Sequence, residues 1–246
     1  MKSRLVMLSG PSGVGKGMVV DWLLKLFHPE LFEQKNRYRK DLEKLCVVPV
    51  YKSKKDVGGK AGASVYGQGN GENPYRFDCR GVDQEIDVDE LDSAVESHKA
   101  TLIESYYQTF DFLRLRYSGN ADFASIFISP LDSEEIGHLR EQNKTLEDYL
   151  PVLMNNLLVD RTQDQGDIVT PDSAEKLAKR AKDSVREMRF AHNYRRILSN
   201  HCYEPDPKWK FPYLIGEPLI VVRAVNEVIK KGNCSYGYKG KDFKLD

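Results

Sequence analysis

The residues best equipped for chemistry stand together near the amino terminus, in the run Gly10-Pro11-Ser12-Gly13-Val14-Gly15-Lys16. The spacing is G-x-x-x-x-G-K. Glycines at such intervals let backbone N–H groups converge on phosphate oxygens, a following helix adds the partial positive charge of its amino end, and the lysine reaches the outer phosphates of a nucleoside triphosphate. A glycine turn that merely joined a strand to a helix would need no lysine at this place. The hydroxyl residue that ordinarily follows the lysine and holds Mg²⁺ is missing, because Gly17 and then Met18 stand there.

A phosphate loop of this kind requires a strand before it and a helix after it. Arg4 to Ser9, RLVMLS, is short and almost wholly apolar, which predicts a strand buried on both faces of a parallel sheet. Lys16 to Phe27 carries Val19, Val20, Leu23, Leu24 and Phe27 at helical spacing and stops before Pro29. Further strands are predicted at 45–50, 100–104 (ATLIE), 123–129 (FASIFIS) and in RRILSN, and helices at 106–117 and in GEPLIVVRAVNEVIKKG. The acidic stretch VDQEIDVDELDSAVESHK suggests a short amphipathic helix, and 135–189 reads as mostly helical with a break at RTQDQGDIVTPDS. DVGGKAGASVYGQGNGENPYRF is too rich in glycine for a regular element and reads as a loop, and SYGYKGKDFKLD as a loose basic and aromatic tail. Strands alternate with helices nearly throughout, which predicts an α/β fold with a parallel sheet.

The 246 residues carry 37 basic and 37 acidic side chains, so net charge points to neither a nucleic-acid nor an anionic-membrane partner. The four cysteines are widely spaced with no C-x-x-C pair, which argues against zinc and fits free thiols in a reducing cytoplasm. The start, MKSRLVMLSG, is too short an apolar run for a signal sequence, and no stretch reaches the roughly 18 apolar residues of a membrane span. His98, His138, His192 and His201 show no spacing suited to a metal or catalytic pair, and each reads as a surface residue.

The string SGPSGVGKG resembles the opening of guanylate kinases, and ASIFISPLDSEEIGHLR and SAEKLAKRAKDSVREMRFAHNYRRILSN are similar to that family's strand and lid entry, and to its lid exit and last strand. The resemblance implies a three-layer P-loop kinase fold with a central parallel sheet, an acceptor-binding insert (47–99) and a helical lid (134–186). The core would comprise 1–46, 100–133 and 187–232, with a tail at 233–246. It implies a phosphotransferase that moves the γ-phosphoryl group of ATP, with Mg²⁺, to a nucleoside monophosphate, GMP first, or a similar small phosphorylated acceptor. Such an enzyme works on small-molecule nucleotides in the cytoplasm, as a monomer or homodimer. Residues 10–18 would bind ATP, with Asn200 near the adenine, while Lys16, Arg140 and Arg180 would neutralise charge on the transferred group.

The acceptor side matches less closely. Lys52, Lys54 and Lys55 replace the family's arginine pair and lack its bidentate geometry. Tyr75, in PYRFD, stands at a phosphate-binding tyrosine. In LIESYYQT, Glu104 occupies the first acidic place, next to the acceptor and able to hold Mg²⁺ through water, but Tyr106 replaces the second aspartate. Two other readings remain open on these residues: a catalytically inactive guanylate kinase-like module that binds nucleotide or protein, and another P-loop phosphotransferase or nucleotide hydrolase.

Overall fold

The computed structural model describes residues 2–29, 45–52, 64–66, 71–204, 206–243 and 245. The chain opens with β1 (Ser3–Ser9) and α1 (Lys16–Phe27), then forms β2 (Leu45–Val48), β3 (Val50–Lys52), β4 (Ser64–Tyr66), β5 (Pro74–Cys79) and β6 (Val82–Asp87). Next come α2 (Val88–Ser97), β7 (Ala100–Glu104), α3 (Phe110–Tyr117) and β8 (Ala121–Ser129). Three helices follow, α4 (Ser133–Glu141), α5 (Leu146–Asp164) and α6 (Pro171–Phe190), before β9 (Arg196–Ser199) and α7 (Gly216–Lys231).

Five strands form a parallel sheet in the order β2-β7-β1-β8-β9. β1 is its middle strand, and Leu5, Val6, Met7 and Leu8 are wholly buried because the sheet is covered on both faces. Parallel crossovers are right-handed. From β1 the chain moves toward the β2 edge, whereas the connections out of β2, β7 and β8 all move the other way, so α1 lies on one face and α2, α3 and the α4–α6 group on the opposite one. α1 packs on α7, which completes its layer. The connection leaving β1 thus takes a different face from those leaving both its neighbours. This opens a crevice at the carboxyl end of β1, where ligands bind in sheets of this class. The result is the α/β architecture with a central parallel sheet covered by helices that the sequence predicts.

The predicted strand at 45–50 is two strands. Pro49 has no N–H for a ladder, and the chain leaves the main sheet there, so that β3 joins a second sheet of order β4-β3-β6-β5. The acidic stretch also differs from expectation: VDQEID is β6, held between β5 and β3 by antiparallel pairing, and the helix starts only at Val88. The Asp87 carboxylate accepts the N–H of Glu90 at 3.0 Å and caps α2. PYRFDC and SVY, read as loop, are β5 and β4. Pairing supplied by partners distant in sequence overrode weak local propensity in each case.

The tail is not loose. Ile197 and Tyr238 exchange backbone hydrogen bonds of 2.8 and 2.9 Å, which places the tail beside β9, and Phe243 is 3% exposed. All four cysteines are free and buried. None of the described helices is long and apolar enough to cross a membrane.

Candidate functional site

The loop between β1 and α1 is built on close backbone approaches. Gly10 has φ +138°, and a Cβ there would lie 2.3 Å from the carbonyl oxygen of Ile128 in β8. Only glycine fits so tight a passage. Gly15, at φ +87°, takes the N-cap position of α1, and no side chain among the described residues caps that helix. By contrast α4, α5 and α6 each start with a capping box, at Asp132, Thr145 and Thr170. The first-turn N–H groups of α1 are therefore left to the loop and to whatever binds over it.

The segment after β9 braces this loop. Asn200, fully buried, donates from Nδ2 to the carbonyl oxygens of Val14 (2.7 Å) and Cys202 (2.9 Å). The Glu204 N–H donates to the Gly13 carbonyl at 3.1 Å, and Trp209 Nε1 to the Cys202 carbonyl at 2.6 Å. Arg161 pairs with Glu204 at 3.2 Å, which ties α5 to the same brace. Asn200 was expected beside the adenine. Its Nδ2 donors are spent on the backbone, while Oδ1 is buried with no partner among the described residues, and the geometry is that of a residue holding the β1–α1 loop in shape.

Lys16 turns its ammonium onto its own loop and donates to the carbonyl oxygens of Gly10 (2.7 Å) and Pro11 (2.8 Å). Burial pushes its pKa down from the usual lysine value, against the opposing pull of Glu104 and Glu187. Glu104 ends β7 opposite Leu8 of β1 and keeps a buried Oε2 with no partner among the described residues. That free oxygen beside the loop fits an Mg²⁺ ion held through water. Gly17 and Met18 add no side-chain oxygen to hold the ion, since Gly17 has no side chain and the Met18 thioether packs against the core.

Two charged residues that sequence reasoning did not place here complete the site. Arg80 lies at the tip of the β5–β6 hairpin and donates from Nη1 to Ser12 Oγ at 2.7 Å and from Nη2 to Glu187 Oε1 of α6. Its guanidinium sits 4.9 Å from the ring centroid of Tyr106. Burial works against the Arg80 charge, but Glu187 outweighs it and holds the guanidinium above its ordinary pKa. Burial raises the pKa of Glu187 in turn, against Arg80 and Lys16. The available signal was Arg80-Gly81 between two strand-like runs, a two-residue turn in which both residues have positive φ, 62° and 83°. Glu187 was hidden in a charged stretch that reads as a solvated helix face, yet it lies between the buried Ser184 and Met188.

The other predicted residues scatter. Arg180 is half-buried seven residues before Glu187, on the same face of α6 and about 10 Å along its axis at 1.5 Å per residue. Lys52 in β3 is near enough to Cys79, the neighbour of Arg80, to draw its thiol pKa down, although burial prevails and raises it. Lys54 falls outside the described residues. Tyr75 stacks on Phe112 with centroids 3.8 Å apart at the far end of β5 from Arg80, so it is an aromatic at the rim of the core. Arg140 is exposed and lines a cavity of about 240 Å³ with Lys144, Glu147 and Arg189. Arg189 follows Glu187 by two positions, which is about 200° around the helix, so the expected meeting of Arg140 with the phosphate loop does not occur.

Two histidines expected at the surface are integrated into the fold. His98 is buried, its Nδ1 3.0 Å from the Ala94 carbonyl. His201 bridges α4 and α7, with Nε2 2.8 Å from Glu135, Nδ1 2.8 Å from Glu217, and Asp132 4.0 Å away. Hydrogen bonds to Glu135 and Glu217 raise its pKa from 6.5 to about 10. A histidine with a raised folded-state pKa stabilises fully below its unfolded pKa, and that share is lost as pH climbs from 6.5 towards 10. His201→Gln is therefore expected to flatten the fall in Tm over this range. Parallel Tm profiles for the two proteins would show that the bridge contributes nothing to folding.

Comparison with protein-family models gives no match, and comparison with curated proteins gives none. Among solved structures, the guanylate kinase from Anaplasma phagocytophilum matches at 17% identity with a TM-score of 0.37, over 75% of this chain and 85% of that one.

Proposed function

We propose that this protein is an ATP-dependent phosphotransferase of guanylate kinase type, which moves the γ-phosphoryl group of ATP to a nucleoside monophosphate, with GMP as the first acceptor to test. One observation carries the reading: the amino end of α1 has no side-chain cap among the described residues, and the Lys16 ammonium sits on loop carbonyls that phosphate oxygens can replace. Phosphoryl transfer asks a protein chiefly for positioning and for neutralisation of spreading negative charge. The backbone amides position the phosphates, and Lys16 neutralises them. Release from burial among carbonyls into contact with a polyanion returns the Lys16 pKa towards its ordinary value, so the ammonium is fully charged when it is needed. Glu104 is the residue placed to hold Mg²⁺ through water, and the ion supplies neutralisation of phosphate oxygens when bound.

Calorimetric titration of the protein with ATP in Mg²⁺ buffer tests the reading, and saturable 1:1 binding is the expected result. Absence of heat at millimolar ATP would remove nucleotide chemistry altogether. Where ATP binds, coupled ADP release over a panel of nucleoside monophosphates and sugar phosphates identifies the acceptor. Binding without release for any acceptor would support the inactive, nucleotide-binding reading, to which Gly17, Met18 and Tyr106 lend weight.

A further inference from the structure

The Arg80 contacts have no place in the expectations drawn from the sequence, and they are costly as they stand. The side chain is 11% exposed and its ion-pair partner Glu187 is 0% exposed. Lys16 and Arg80 converge on one glycine loop closely enough that Arg80 depresses the lysine pKa, behind the larger effect of burial. The network is incomplete: Arg80 Nε and Glu187 Oε2 are both buried without a partner among the described residues. Leaving a buried hydrogen-bonding group unpaired is costly, so a donor and an acceptor left idle around two cations mark a place made for something further.

An anion fits that place. A guanidinium has five N–H donors in a planar fork, of which Ser12 and Glu187 occupy two, and Tyr106 fixes its plane from one side. Ser12 lies in the middle of the β1–α1 loop, so its hydrogen bond from Arg80 Nη1 brings the guanidinium, with its Nε donor still unused, against the loop that would hold a polyphosphate. We infer that Arg80 is a phosphate-binding residue, delivered from the β5–β6 hairpin to the terminal phosphate of the polyphosphate held by the β1–α1 loop, with Glu187 orienting it before the ligand arrives. The inference rests on the functional reading above only in supposing that the loop holds a polyphosphate. It adds that the second sheet carries one of the cations of the site, already held against the β1–α1 loop by Ser12 and Glu187 before any phosphate is bound.

Arg80→Ala would leave Glu187 buried and unpaired, and loss of folding alone could then explain any defect. The test therefore uses Glu187→Gln as background, with inorganic tripolyphosphate as the probe and the full chain in calorimetry. Glu187→Gln should bind tripolyphosphate at least as tightly as the wild type, because a competing carboxylate is gone. Arg80→Met in that background, which leaves neither buried charge, should bind tenfold or more weakly than Glu187→Gln alone. Affinities of these two proteins within twofold of each other would overturn the inference. If the double variant does not fold, Arg80→Lys decides: a threefold or greater loss, from replacing a fork by a point charge, supports the role, and unchanged affinity overturns it. Wild-type protein that binds tripolyphosphate but not ATP ends the kinase reading and leaves the Arg80 comparison valid. Failure to bind either ends both.

Discussion

Lys16→Ala is expected to lower phosphoryl transfer by about 10²–10³-fold, the loss typical of deleting one preorganised charge-stabilising donor. The loop geometry explains why the loss should fall on turnover more than on folding. The ammonium donates to the Gly10 and Pro11 carbonyls, both at the crevice end of β1, and its burial already disfavours its charge. Removing it relieves that burial while the amides that position the phosphates remain. Coupled ADP-release assays at saturating ATP, together with an ATP titration, separate the two contributions: kcat should fall much more than ATP affinity. A variant with unchanged kcat would show that the lysine is a structural bracket for the loop and that phosphate is bound elsewhere.

Gly10→Ala is expected to cost about 3–5 kcal/mol of stability, combining backbone strain with overpacking against an immovable neighbour. The added Cβ would lie 2.3 Å from the Ile128 carbonyl oxygen, and that carbonyl belongs to β8, which is held in the ladder by β1 and β9. Neither partner can retreat without breaking sheet hydrogen bonds. Gly17→Ala is the matched control, because its Cβ would meet nothing within 4 Å and alanine is the better helix former by about 1 kcal/mol. Urea unfolding of the two variants should therefore give midpoints displaced in opposite directions. A Gly10→Ala midpoint close to that of the wild type would mean that the close approach of the loop to β8 is absent in solution.

What the sequence determined by itself were the elements whose signals are local. The span of α1 follows from apolar residues at helical spacing, and β7 and β8 from short apolar runs that only a doubly covered parallel sheet accommodates. The strand–glycine loop–helix unit around Lys16 was legible because it depends on adjacent residues, glycines and a lysine joined through one turn of backbone. Tertiary structure alone decided the rest. VDQEID is a strand because β3 and β5 flank it, and no property of six mostly polar residues announces that pairing. The tail is fixed because Tyr238 meets Ile197, some forty positions earlier. Arg80 and Glu187 stand more than a hundred residues apart, and Arg80 meets both Glu187 and Ser12 only after two sheets and a helix have packed. Arg140 and Tyr75 lie away from the β1–α1 loop for the converse reason: residue type and order along the chain carry no information about which side of a helix or which end of a strand faces the crevice. Local sequence fixes backbone preference, whereas convergence of charge is a property of packing, set by contacts between residues whose separation along the chain can have any value.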